Sequence, residues 1–113
     1  MKEVGLITLA ELNEMTASMY GNMVKAVVDI ERGILVVDSE LHVDQEQLLL
    51  EQGSNQNDLW GINLYPQKFG SDDFIEFDSM INIRPRQLNM SRGVENEEIK
   101  QRIIRLVMCK VSK

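Results

Sequence analysis

Arg84, Arg86 and Arg92 fall with Asn82, Asn89 and Ser91 inside the stretch Ser79–Gly93, which contains no acid. Arginine recognises carboxylate or phosphate through two parallel hydrogen bonds, and asparagine amides add donors. Proline disfavours helical geometry in the residue before it, so Arg84 is expected to stay extended beside Pro85. Turns at Ser91 and Gly93, and the helix expected just after them, would turn further backbone amides toward an anion. These six residues form the candidate ligand- or anion-binding set. Two features oppose it. Glu95, Glu97 and Glu98 crowd the helix start. The arginines can also pair with Asp72, Asp73, Asp78 or Glu95, at about 0–1 kcal/mol for each exposed pair. No glycine-rich phosphate loop is present.

His42 is the single histidine. If the segment around it is a strand, Glu40 points the same way about 6.5–7 Å off and Asp38 continues the row. That arrangement makes His42 the candidate general acid or base and Glu40–His42 a weak cation site. Without a second histidine no metal is expected. The plainer alternative is a histidine kept partly protonated by acidic neighbours. Cys109 is the one cysteine. It is expected to be packed in the last helix and unpaired with His42, and a chain that cannot form an internal disulfide suits a reducing cytosol.

The elements that must position these groups follow from local patterns. Thr8 and Glu11 form a capping box, with Leu9, Leu12, Thr16 and Met19 on one face and Gly21 as a stop, predicting a helix over 8–20. Residues 24–43 alternate about Arg32-Gly33, predicting a β-hairpin. A two-residue turn there would pair Ile30 with Leu35, Val28 with Val37, Val24 with Leu41 and Lys25 with Glu40. A three-residue turn with a bulge at Gly33 would shift this by one. The hairpin face bearing Lys25, Asp29, Glu31, Asp38, Glu40 and His42 is expected to be wet. Asp44 is expected to cap a short helix ended by Gly53. Two more strands are expected in LWGINLY, with Trp60, Ile62 and Leu64 on one face, and in FIEFDSMINIR, with Ile75, Phe77, Ile81 and Ile83 on one face, before Pro85 ends the ladder. Asn96 should cap a helix over about 97–111. The order α-β-β-α-β-β-α gives an α+β fold, an antiparallel sheet of about four strands with three helices.

A chain of 113 residues makes one domain spanning 1–113. Residues 1–83 carry four basic and fifteen acidic groups, whereas residues 84–113 carry eight and three. A sequence pI near 4.7 argues against a duplex nucleic acid partner. The N-terminal residues lack the apolar run of a signal peptide, and no stretch reaches the roughly 20 apolar residues of a membrane span. The expected setting is therefore the cytoplasm. The residues name no cofactor. Three functions fit: a binding module gripping an anionic small molecule or a protein partner through the Arg/Asn loop, an enzyme on an anionic small molecule with His42 as acid–base, and a homodimer whose polar strand faces meet.

The blocks AVVDIERGILVV, SELHVDQEQLLLEQGS, DLWGINLYP and FIEFDSMINIRPRQLNMSRGVE resemble a family of short prokaryotic proteins catalogued only as a domain of unknown function. The resemblance runs from about Val24 onward and is strongest at Glu40–His42 and Ser79–Gly93. It implies no activity, substrate or catalytic residue. This chain departs from the family's pattern at Leu88 and Met90, where Gly and Arg are expected, and at Asn96-Glu97, where Asp-Pro is expected. The loss of a cation at Met90 counts against an anion clamp.

Overall fold

A computed structural model describes residues 1–19 and 21–113. Five antiparallel strands form the main sheet, in the order β1-β4-β3-β5-β6: β1 Lys2–Val4, β3 Val24–Asp29, β4 Ile34–Val37, β5 Leu59–Leu64 and β6 Ile75–Glu76. A parallel pair, β2 Ile7–Thr8 with β7 Val111–Ser112, ties the two ends of the chain together. Three helices complete the α+β fold: α1 Leu9–Ser18, α2 His42–Glu51 and α3 Glu97–Lys110. β1, β2 and β7 are too short to leave an alternation in the sequence.

The capping box of α1 forms as expected, with Glu11 N donating to Thr8 Oγ1 and Thr8 N to Glu11 Oε1. Tyr20, the expected last residue of this helix, lies outside the described residues. Asn96 caps α3 by accepting from Ile99 N at 3.0 Å. Val24, Ala26, Val28, Leu35, Val37, Trp60, Ile62 and Leu64 share one sheet face and form the larger core with Leu12 of α1 and Ile103 and Val107 of α3. Cys109, expected to be packed, is exposed on α3.

The hairpin β3–β4 forms in a register two residues away from the two-residue-turn expectation. Asp29 pairs with Ile34, Val28 with Leu35 and Val27 with Val36. Asp29 causes the change. Its Oδ1 accepts from Glu31 N and Arg32 N, and its carbonyl from Gly33 N, so four residues enter the turn. Such side-chain mimicry of a backbone turn is characteristic of aspartate. A shift of two keeps every side chain on its face, so the core partition survives the change.

The opposite face is not wet. Val27, Ile34, Val36 and Leu59 are covered by Leu49 of α2, with Ile81 packed beside them. Asp29 is fully buried there, its second oxygen accepting from Ser54 Oγ at 2.6 Å. The ladder between β3 and β4 ends at Val27–Val36, and Asp38 takes the left-handed conformation at φ 66°. The chain therefore leaves the sheet before Glu40 and His42, and the β3–β4 ladder does not extend to the strand register expected for Lys25 with Glu40 and Val24 with Leu41. Leu41, not Asp44, is the N-cap residue of α2, while Asp44 sits in the first turn. Gly53, at φ 97°, ends the helix region as expected.

The second expected strand is cut to Ile75–Glu76. From Ser79 the chain instead makes two 3-10 turns, Met80–Asn82 and Pro85–Gln87, inside a loop that runs to Glu95. Ser79 N donates to Arg92 O at 3.0 Å and closes the loop's base.

Candidate functional site

The loop departs from β6 because Gly61 of β5 admits it. A Cβ at Gly61 would lie 2.6 Å from both Cβ and Oγ of Ser79, so only glycine lets the segment lie on the strand. Asn82, fully buried, then completes the edge of β5. Its Oδ1 accepts from Gly61 N at 2.8 Å and its Nδ2 donates to Gly61 O at 2.9 Å. One side-chain amide thus replaces a neighbouring peptide. The same Nδ2 also reaches Arg92 O, joining strand edge to loop base.

Arg84 extends this cover. Its guanidinium stacks 4.4 Å from the centre of the Trp60 ring. Its nitrogens donate to the carbonyls of Ile81, Gln56 and Leu59 and to Gln87 Oε1. Burial draws its pKa below the usual arginine value, opposed by the charges of Glu46 and Asp58. Arginine has five N–H donors, and four hydrogen bonds to the protein leave little of the fork for a ligand.

Asn89 is the second internal tie. Its Nδ2 donates to Asn82 O, Ser91 O and Gly93 O, and its Oδ1 accepts from Glu95 N. Glu95, expected to repel an anion, instead organises the loop by accepting from Met90 N at 2.7 Å and Ser91 N at 2.8 Å. Hydrogen bonds from the Ser91 side chain and the Met90 amide hold its carboxyl below the usual range. Arg92 pairs with Asp78 at 2.6 Å in an exposed contact, one of the acid pairings anticipated for the arginines. Arg86 is exposed and makes no ion pair among the described residues.

The loop therefore turns Asn82, Asn89 and most of the Arg84 fork inward, while Met80, Ile83, Leu88 and Met90 face outward. Arg84 and Asn89 form a bridge, each amide donating to the other's carbonyl. Ile83 and Met90, one residue outside that bridge, are consequently neighbours, and both are exposed. Pro85 to Leu88 make the tip. Leu88 is 83% exposed and left-handed at φ 60°, a conformation that L residues with a Cβ rarely adopt. Met80 is 65% exposed. The sequence hides this inversion because Met80, Ile83, Leu88 and Met90 follow neither a period of 2 nor of 3.6. The available signal was Asn82 between two isoleucines, since a buried asparagine must have partners.

His42 is the first residue of α2 and is buried against the sheet. Its Nε2 lies 2.7 Å from Ile62 O. A carbonyl only accepts, so Nε2 carries the proton and Nδ1 is the free acceptor of the neutral ring. Burial pushes its pKa below the usual histidine value and the charge of Lys25 adds to this, whereas the Ile62 carbonyl opposes it. Asp78 and Arg92 also bias the ring, so of the loop arginines Arg92 is the one whose charge reaches it. One turn along α2, buried Gln45 donates to Lys25 O, the first strand position left open where β4 departs. The strand row of Glu40 and His42 does not exist, and no cluster of three metal-binding side chains occurs among the described residues.

Two surface grooves lie elsewhere. One, of about 610 Å³, runs between Phe74, Phe77 and the α3 residues Lys100, Ile104 and Met108. The other, of about 600 Å³, is polar and lined by Tyr65, Lys68, Asp72, Asp73 and Glu76. Neither includes His42 or the arginine loop.

No helix among the described residues is long and apolar enough to cross a membrane. The model of a family described as a protein of unknown function (DUF5674) matches residues 4–109. No curated protein and no solved structure matches the chain.

Proposed function

The chain belongs to the DUF5674 family of proteins of unknown function, and from that footing we propose that it is a cytoplasmic binding module whose recognition element is the loop Ser79–Glu95. One observation carries this reading. Asn82, Arg84 and Asn89, the residues with the richest donor chemistry, are committed to bonds with β5 and within the loop, while Met80, Ile83, Leu88 and Met90 face solvent. Exposed apolar side chains gathered on one rigid element mark interaction surfaces. Pre-ordering lowers the entropy lost on binding. The left-handed Leu88 supports the same reading, because strained backbone persists where the surroundings impose it and clusters at binding sites.

The reading favours a macromolecular partner over a small anion, since four of the five Arg84 N–H donors are already committed and Arg92 already holds Asp78. Selection of displayed random peptides on the immobilised chain tests it. Binders should compete with one another and lose their hold on the Leu88→Ser variant. Binders that are indifferent to Leu88→Ser and to Met90→Ser would place recognition elsewhere.

A further inference from the structure

The occupant of the loop can be narrowed by charge, on the footing of the binding role just proposed. Ser79–Gly93 is free of acid, and Arg86 stands at its tip between Pro85 and the exposed Leu88. Arg92 is paired with Asp78 and the half-buried Arg84 spends four N–H donors on the protein, so Arg86 is the cation that the loop leaves unpaired at its tip. It lies on the same turn as an apolar knob and near the Ile83–Met90 pair. We propose that this surface takes an acidic, apolar-bearing peptide segment of another protein. Met80, Ile83, Leu88 and Met90 would cover the partner's leucine or phenylalanine side chains, and Arg86 would meet its carboxylate.

Other occupants fit less well. In a two-fold dimer formed loop against loop, the same patch meets itself, and the acid-free segment Ser79–Gly93 would offer Arg86 no carboxylate. An anionic membrane surface attracts clusters of several cations, whereas the tip offers one on a chain of net charge −6. That net charge also disfavours acidic partners at long range, but screening over about 8 Å at physiological salt leaves the local cation in control.

The test uses the full chain. Peptides selected by display are synthesised with their own sequence and with Asp and Glu replaced by Asn and Gln, and both are titrated at about 50 and 300 mM salt. Enrichment in acids is expected. The neutralised peptide should bind at least about tenfold more weakly, Arg86→Glu should cost a similar factor, and salt should weaken the native peptide more than the neutralised one. Equal affinity of the two peptides, with binding still lost in Leu88→Ser, would overturn the acidic assignment and leave the recognition loop standing. Absence of any loop-directed peptide would overturn both. Vesicles of phosphatidylcholine with phosphatidylglycerol, and sedimentation of the chain alone, complete the experiment. Leu88-dependent binding to vesicles, or a dimer abolished by Leu88→Ser, would replace the peptide by a membrane or by a second copy.

Discussion

Leu88 and Gly61 show how single backbone positions determine the loop. Leu88 holds φ 60° with its side chain in solvent, so its native contacts do not offset a strain of about 1–2 kcal/mol. Leu88→Gly should therefore raise unfolding free energy by about 1 kcal/mol in denaturant titration while weakening selected peptides. A leucine that stabilises the fold would show the opposite sign. Gly61 has the reverse role. An added methyl would collide with Ser79, and Gly61→Ala should cost about 1–3 kcal/mol through displacement of the Ser79–Asn82 segment. An alanine variant of unchanged stability would mean that the segment does not lie on β5 as described.

At the scale of elements, β5 has one long side paired with β3 and another paired with β6 only at Asn63 and Leu64. The rest of that edge is closed by side chains, Asn82 on Gly61 and Arg84 on Leu59. Exposed sheet edges invite unwanted pairing, and here the loop removes the template. Asn82→Ala would strand the buried amide and carbonyl of Gly61, an expected loss of about 3 kcal/mol, far above the effect of Arg92→Ala at the exposed Asp78 pair, about 0–1 kcal/mol. Comparable losses in the two variants would contradict this division. Much of this level was legible beforehand. The capping box at Thr8, the Asn96 cap, the strand at Leu59–Leu64 and the α+β class follow from local patterns that tertiary contacts reinforce. What was not legible depends on specific hydrogen bonds: Asp29 lengthening a turn, Asp38 turning the chain out of the sheet, and two asparagines converting an alternating stretch into a loop. For the candidate site, Asn82, Arg84 and Asn89 are visible in the sequence as one cluster and lie in one loop, but their types do not reveal whether they point inward or outward.

For the whole molecule, the sheet is covered on both faces, by α1 and α3 on one side and by α2 with the loop on the other. His42 anchors α2 to the strand through Ile62, and its neutral form is the one that fits. Its folded pKa is lowered from an unfolded value near 6.5, so its contribution is complete above that pH and is lost as pH falls below it. The stability advantage of the wild type over His42→Gln should shrink between about pH 7 and pH 5. A difference independent of pH would mean that the ring is not held neutral.

Asn82, Arg84, Asn89 and Glu95 commit their side chains to hydrogen bonds within the protein, and these bonds hold the loop Ser79–Glu95 rigid. Backbone amide exchange measured by NMR at Gly61, Met90, Ser91 and Glu95 tests this rigidity most directly, because each of these amides donates to a side chain of the loop. Slowed exchange is expected at all four, with Gly61 released selectively by Asn82→Ala and Met90 and Ser91 by Glu95→Gln. Exchange at the rates of an unstructured peptide in the wild type would contradict it, returning the arginines and asparagines to solvent and to a ligand.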